Sequence, residues 1–165
     1  MSAHNNMSLL ELARPVAAIM PISKAASAVA SGAWISLKNV NKLGIMVMVG
    51  AGAGTFNVTL QQATAVAGTG AKALAFTKAV VNSSAIAADS FTRTTVVANS
   101  LPLTANDVAL IDIDPADLDI NNDFDCVQVV VTESGGASAQ LVSAHYIVKS
   151  GKVESLDAAP SHILD

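Results

Sequence analysis

From Ala33 to Lys149 the chain alternates apolar and polar residues with a period of two, and no stretch in it holds a helical period for three turns. Side chains two apart share one face of a strand, so this pattern demands sheets with one buried side. Phe56-Asn-Val-Thr-Leu-Gln is the clearest case, with Phe56, Val58 and Leu60 inward and Asn57, Thr59 and Gln61 outward. Val108 to Asp114 turns Ala109, Ile111 and Ile113 inward and Asp112 and Asp114 outward. Leu43 to Val49 is apolar on both faces, the mark of a strand covered on both sides. Ala33–Leu37, Lys72–Lys78, Phe91–Ala98, Cys126–Thr132 and Gln140–Lys149 complete about eight strands. Between them stand turn signals at near-regular spacing, among them Gly68-Thr-Gly70, Asn82-Ser-Ser84 and Ser134-Gly-Gly136. Eight short strands without βαβ alternation predict an all-β, jelly-roll-like β-sandwich over residues 33–152.

Residues 1–32 break the pattern. Ser8 and Glu11 are spaced as a capping box, Leu9, Leu10, Leu12 and Ala13 give one apolar turn, and Pro15 stops it. Pro21 and the Ala/Ser stretch up to Gly32 read as extended linker. The segment is an N-terminal arm, either disordered or docked through Leu9, Leu10, Leu12 and Ile19 onto a neighbouring chain. Residues 153–165 carry no period and read as a C-terminal tail of coil.

Composition narrows the function classes. Hydrophobic residues make up 52% and charged residues 13% of the 165, and mean hydropathy is +0.49. Much of that is small side chain, since 30 residues are alanine. A spanning helix needs about 20 consecutive apolar residues. The apolar run Leu43 to Ala53 is shorter and passes into Gly, Asn, Thr and Gln, while Ala13 to Ile22 contains Pro15 and Pro21. No Lys or Arg precedes Arg14 to open a secretory signal, so the expected product is soluble and made in a reducing compartment. A net charge of −4 argues against nucleic acid as a partner, because that binding rests on clustered positive charge.

Candidate chemistry is sparse. Gly50-Ala-Gly52-Ala-Gly54 has Thr55 where a dinucleotide site needs its third glycine, and it lacks that site's helix and the Gly-Lys-Ser/Thr of a phosphate loop, which leaves a turn between strands. Asp112, Asp114, Asp117, Asp119, Asp123 and Asp125 cluster, and Asp117, Asp119, Asn121 and Asp123 recur at every second position, as ligands of a Ca²⁺ loop do. Asn122 stands where that loop needs glycine, and Gln128 where it needs glutamate. The alternative is a solvated acidic turn in which Asp117 or Asp119 caps a short helical turn. His4 and His162 lie in the terminal segments, and His145 shares a strand face with Leu141 and Ile147 without a partner nucleophile. Cys126, the single cysteine, sits in an apolar run as a structural thiol. No catalytic, cofactor or metal residue is assigned, and no enzyme activity is expected. Trp34 shares a face with Ser36 and Lys38, and reads either as an interface anchor or as a ring tucked under the arm.

Ser31-Gly-Ala-Trp-Ile-Ser-Leu-Lys38, Asn57-Val-Thr-Leu-Gln-Gln-Ala-Thr-Ala-Val-Ala-Gly-Thr-Gly-Ala-Lys-Ala-Leu-Ala-Phe76, Asp117-Leu-Asp-Ile-Asn-Asn-Asp-Phe-Asp-Cys-Val-Gln-Val129 and Leu141-Val-Ser-Ala-His-Tyr-Ile-Val148 together resemble the small structural proteins encoded among tailed-bacteriophage head genes. The resemblance runs from about residue 31 to 150. It implies a virion β-sandwich, foremost a capsid cement or decoration protein on the capsid exterior, made in the host bacterial cytoplasm. Its partners would be the major capsid protein and itself, as a homotrimer that reaches neighbours with the arm. The same blocks leave room for a head fibre base, a tail-associated module or a carbohydrate-binding β-sandwich, and more distantly for a virion hydrolase. A carbohydrate module would show an aromatic platform, for which Trp34 and Tyr146 are the only large polar aromatics.

Overall fold

The half-buried alternation of the sequence closes into two antiparallel sheets packed face to face. The structure is a computed structural model, and it describes residues 13–25, 27–84, 90–135 and 139–150. Its strands are β1 (Arg14–Lys24), β2 (Val29–Ser31), β3 (Ile35–Ser36), β4 (Val40–Val49), β5 (Thr55–Ala63), β6 (Lys72–Ala73), β7 (Lys78–Asn82), β8 (Thr92–Thr95), β9 (Leu101–Leu103), β10 (Val108–Ile113), β11 (Cys126–Ser134) and β12 (Gln140–Ser150). Among the described residues the helical pieces are two 3-10 turns, Pro115–Asp117 and Ile120–Asn122.

Sheet A runs β1-β12-β4-β10-β7-β8, and sheet B runs β2-β11-β5-β6. Strand β3 continues the β2 position along β11, and β9 shares with β6 the free edge of β5. With β2/β3 and β6/β9 each taken as one broken strand and the β7–β8 hairpin as an insertion, eight positions remain. They read 1-8-3-6 in one sheet and 2-7-4-5 in the other, the order of a jelly roll.

The inward set is the one the alternation marks. Leu43, Ile45 and Val47 of β4, Ala109, Ile111 and Ile113 of β10 and Val142, Ala144 and Val148 of β12 meet Phe56, Val58 and Leu60 of β5 and Val127, Val129 and Val131 of β11, all buried. Each Val, Leu, Ile or Phe among them contributes about 1.5–3 kcal/mol by leaving water.

Four local expectations need correction. The alternation becomes legible only at Ala33, but the sheets start at Arg14, so the arm expected over residues 1–32 is sheet from Arg14 to Ser31 except around residues 25–28. Prolines hid β1. It is the edge strand of sheet A, where a residue without an N–H is tolerated, and Pro21 falls in a register irregularity between Ile19 and Ile22. Leu9, Leu10, Leu12, the Ser8/Glu11 capping box, His4, His162 and the tail 153–165 lie outside the described residues.

The strand expected over Lys72–Lys78 is two strands in different sheets, because the chain crosses the sandwich through buried Leu74 and Phe76. Phe91–Ala98 shortens to Thr92–Thr95, with Phe91 exposed. Strand β4 is covered on one side only among the described residues. Met46 is half-buried and Met48 is 42% exposed on its outer face.

Candidate functional site

The acidic segment links β10 of sheet A to β11 of sheet B. Its carboxylates turn back onto the chain rather than toward one point. The Asp114 Oδ1 accepts the Ala116 N–H at 3.0 Å, and the Asp117 Oδ2 accepts the Asp114 N–H at 2.9 Å, a reciprocal cap on the first 3-10 turn. The capping residue is therefore Asp114. Asp119 precedes the second turn, and its side chain makes no cap bond there. It accepts both the Lys72 ammonium and the Asn122 amide, while its N–H donates to the Gln62 Oε1 at 2.9 Å. The Lys72 hydrogen bond first, and the Asn122 amide second, hold the Asp119 carboxyl below the usual aspartate range. Lys72 also sits 4.0 Å from the centre of the Phe124 ring.

Asp123 ends the second turn in the left-handed region at φ 62°. Asp125 pairs with Lys38 at 3.2 Å and accepts the Cys126 thiol at 3.1 Å. Alternate positions converge only if the segment curls into one loop, and two successive 3-10 turns scatter them instead. Among the described residues no three His, Cys, Asp or Glu side chains gather as metal ligands.

The glycine run has a packing reason. Buried Gln140 accepts the Gly54 N–H at 3.0 Å and donates to the Gly50 carbonyl at 2.8 Å. A Cβ at Gly54 would stand 2.5 Å from Oε1 of buried Glu133, whose other oxygen accepts the Ser27 N–H at 3.0 Å. Asp107, a residue without a sequence motif, is likewise buried and structural. It accepts the Ser84 and Thr104 N–H groups at 2.9 and 2.8 Å.

Tyr146 bridges the sheets. Strand β2 pairs Val130–Thr132 and β3 pairs Cys126–Val127, which leaves the Val129 N–H opposite a break in the edge. The Tyr146 hydroxyl fills that break, accepting the Val129 N–H at 3.0 Å and donating to the Ala33 carbonyl at 2.8 Å. Burial raises its pKa above the ordinary phenol value, with the Val129 N–H opposing. Tyr146 is fully buried, so it takes no part in an aromatic platform. Trp34 stands between β2 and β3, is half-buried and lies against a turn: a Cβ at Gly68 would meet its Nε1 at 2.8 Å. His145 is half-buried on the outer face of β12, between Met46 of β4 and Ala17 of β1.

The wide surfaces are the two outer sheet faces. On sheet B the cross-strand rows are Gln128–Gln61–Ala73, Ser31–Val130–Thr59, Val29–Thr132–Asn57–Pro102 and Ser134–Thr55. These rows hold hydroxyls, amides and small apolar groups and no charged side chain. On sheet A, Arg93, Val80, Leu110, Met46 and His145 form one row, and Val108 with Met48 and Asp112 with Gly44 and Ile147 flank it. Three adjoining depressions of about 430, 330 and 270 Å³ lie on this side, and Asp112 lines all three.

No family model, curated protein or solved structure matches the chain.

Proposed function

We propose that the chain is a bacteriophage capsid cement or decoration protein that lays the outer face of sheet B against the capsid shell. The observation that carries this reading is the absence of any charged side chain across the rows of that face. Docking removes a face from water, and an ion left without a partner there costs several kcal/mol, whereas amides and hydroxyls pair directly or through water. Interface centres are accordingly poor in charge. The jelly-roll order fits a virion role and is shared with lectins and cupins, so the face carries the argument and the fold only permits it. Asp114 and Asp117 cap a turn, and Asp119 and Asp125 pair with lysines, which suits a scaffold rather than a hydrolase.

Binding to the assembled shell and not to the free subunit stabilises the shell by linkage, and many copies on one lattice add avidity. The arm's share of this contact falls to residues 1–12, because removing residues 1–32 would also remove β1 and β2. Mass spectrometry of purified virions of the phage that encodes the chain tests the reading. The chain in stoichiometric ratio to the shell protein, and recovered with heads after the tails are removed, supports it. Virions that lack the chain overturn it.

A further inference from the structure

Lys42 of β4 and Lys149 of β12 are exposed and stand directly opposite each other on the outer face of sheet A, a register in which like charges repel. Neither has an ion-pair partner among the described residues. Two residues along each strand the surface drops. Gly44 has no side chain, and the depression of about 270 Å³ above it is walled by Ile147 and Asp112 beside the two lysines. An occupant of this notch must bring a carboxylate to the lysine end and an apolar side chain about 7 Å further on, two strand residues away. Asp112 on the β10 side repels a second carboxylate, which bars the reverse order.

A group of this form stands elsewhere on the chain's own surface. Ile120 opens the second 3-10 turn and is 61% exposed. Among the exposed large apolar residues described it is the one with an acid within three residues on each side, Asp119 before it and Asp123 after it. Asp119 is paired with Lys72, whereas the exposed Asp123 has no ion-pair partner among the described residues. Three residues of a 3-10 turn rise about 6 Å, close to the spacing the notch asks for. The turn is already held in shape: the Asp123 N–H donates to the Ile120 carbonyl at 3.2 Å, and the Asn122 amide donates to the Asp119 carboxylate. It cannot fill the notch of its own chain. Asp119 is fastened to Lys72 of β6 and Gln62 of β5, both in sheet B, while the notch opens on the outer face of sheet A. We propose that the Ile120–Asp123 turn of one copy seats in the Gly44 notch of a second copy, with Asp123 between Lys42 and Lys149 and Ile120 against Ile147. Knob and notch are different surfaces, so the contact is head-to-tail. One turn buries far less than the roughly 1,000 Å² of a stable interface, so free copies meet weakly and copies gathered on one support meet well.

The test is disulfide trapping between two full-length variants, Ile120→Cys and Ile147→Cys, mixed with oxidised glutathione; Cys126 is buried and reacts slowly in both. The mixture is expected to form a cross-linked dimer about tenfold faster than either variant alone, because seated copies hold the two thiols at a high effective concentration. Asp123→Lys added to the first variant should slow trapping about tenfold, since it brings a third like charge to the lysine pair. Lys42→Glu and Lys149→Glu added to the second variant should then restore the rate, which a merely misfolded copy cannot do. A mixture no faster than its components overturns the proposal. Fast trapping of Ile120→Cys with itself also overturns it, because that is a two-fold contact rather than a head-to-tail one. A rate that ignores Asp123→Lys, or that the paired reversal leaves slow, overturns it as well. Should Ile147→Cys not fold, Gly44→Cys reads the same contact, since the nearest atom a Cβ there meets is 3.4 Å away. The result is independent of whether virions contain the chain.

Discussion

Sheet A and sheet B turn the same kind of side chain inward and different kinds outward. Inside, Val, Ile, Leu and Phe from both sheets form one core. Outside, sheet B shows Thr59, Thr132, Asn57, Gln61 and Gln128, while sheet A shows Val80, Leu110, Met46 and Met48 with Arg93, Asp112, Lys42 and Lys149 around them. The inner faces set whether the chain folds. The outer faces differ in what they can pair with, hydroxyls and amides on sheet B and apolar side chains ringed by charge on sheet A, so the same fold leaves each side a different surface chemistry.

The largest effect comes from breaking the shared inner layer. Phe56→Ala in sheet B and Ile111→Ala in sheet A each empty a fully buried site. Losses of about 3–5 and 2–5 kcal/mol respectively are expected by chemical denaturation. A loss under about 1 kcal/mol at either site would show that the two sheets do not share one core. Next is the hydroxyl that ties the sheets together. Tyr146→Phe leaves the buried Val129 N–H without that partner and releases the Ala33 carbonyl, at a cost of about 1–3 kcal/mol. The phenol's folded pKa is raised, so its contribution is full below the unfolded value near 10 and fades as pH rises beyond it. The variant should therefore show less alkaline destabilisation than the parent; an identical alkaline limb would remove Tyr146 as its source.

How much of this contrast was legible in the sequence follows from burial. Strands β5, β10 and β11 are half-buried, so their alternation shows directly, and Asn57, Thr59 and Gln61 already marked sheet B's polar side. Strand β1 was hidden because an edge strand accepts Pro15 and Pro21, which usually signal a stop. The Lys72–Lys78 segment is apolar at the right positions, but sequence period does not say that a chain changes sheets midway. In the acidic segment the capping role was legible from Asp and Pro spacing. The identity of the cap was not, because Asp114, Asp117 and Asp119 offer the same short carboxylate at neighbouring positions. Gln140 and Glu133 carried no local signal, since their partners at Gly54 and Ser27 are distant in sequence, and Asp107 joins nearby Thr104 to distant Ser84.

The outer faces are separated by one arginine on each. Thr132→Arg puts a charge in the middle of sheet B's uncharged rows, and Leu110→Arg does the same on sheet A. Both positions face outward, so each variant should fold. On the proposed capsid role, co-sedimentation with phage heads stripped of this chain should fall about tenfold or more for Thr132→Arg, a change of about 1.4 kcal/mol, and hold for Leu110→Arg. The opposite ranking would place the shell contact on sheet A.

The smallest effect concerns the crossover between the sheets. The Asp119–Lys72 pair fastens the turn that leaves sheet A to strand β6 at the edge of sheet B. Its surroundings depress the Asp119 pKa, so the pair contributes fully above the unfolded aspartate value near 4 and is lost as pH falls through the lower folded value. In Asp119→Asn the difference in Tm from the parent should be small at neutral pH and should shrink further on acidification, because the parent loses the same interaction there. Exposed pairs are also screened, so salt at neutral pH should narrow the gap in the same direction. A gap that widens in acid would mean that the carboxyl is protonated more readily when folded, and that the crossover is held by Gln62 and the two 3-10 turns without help from the ion pair.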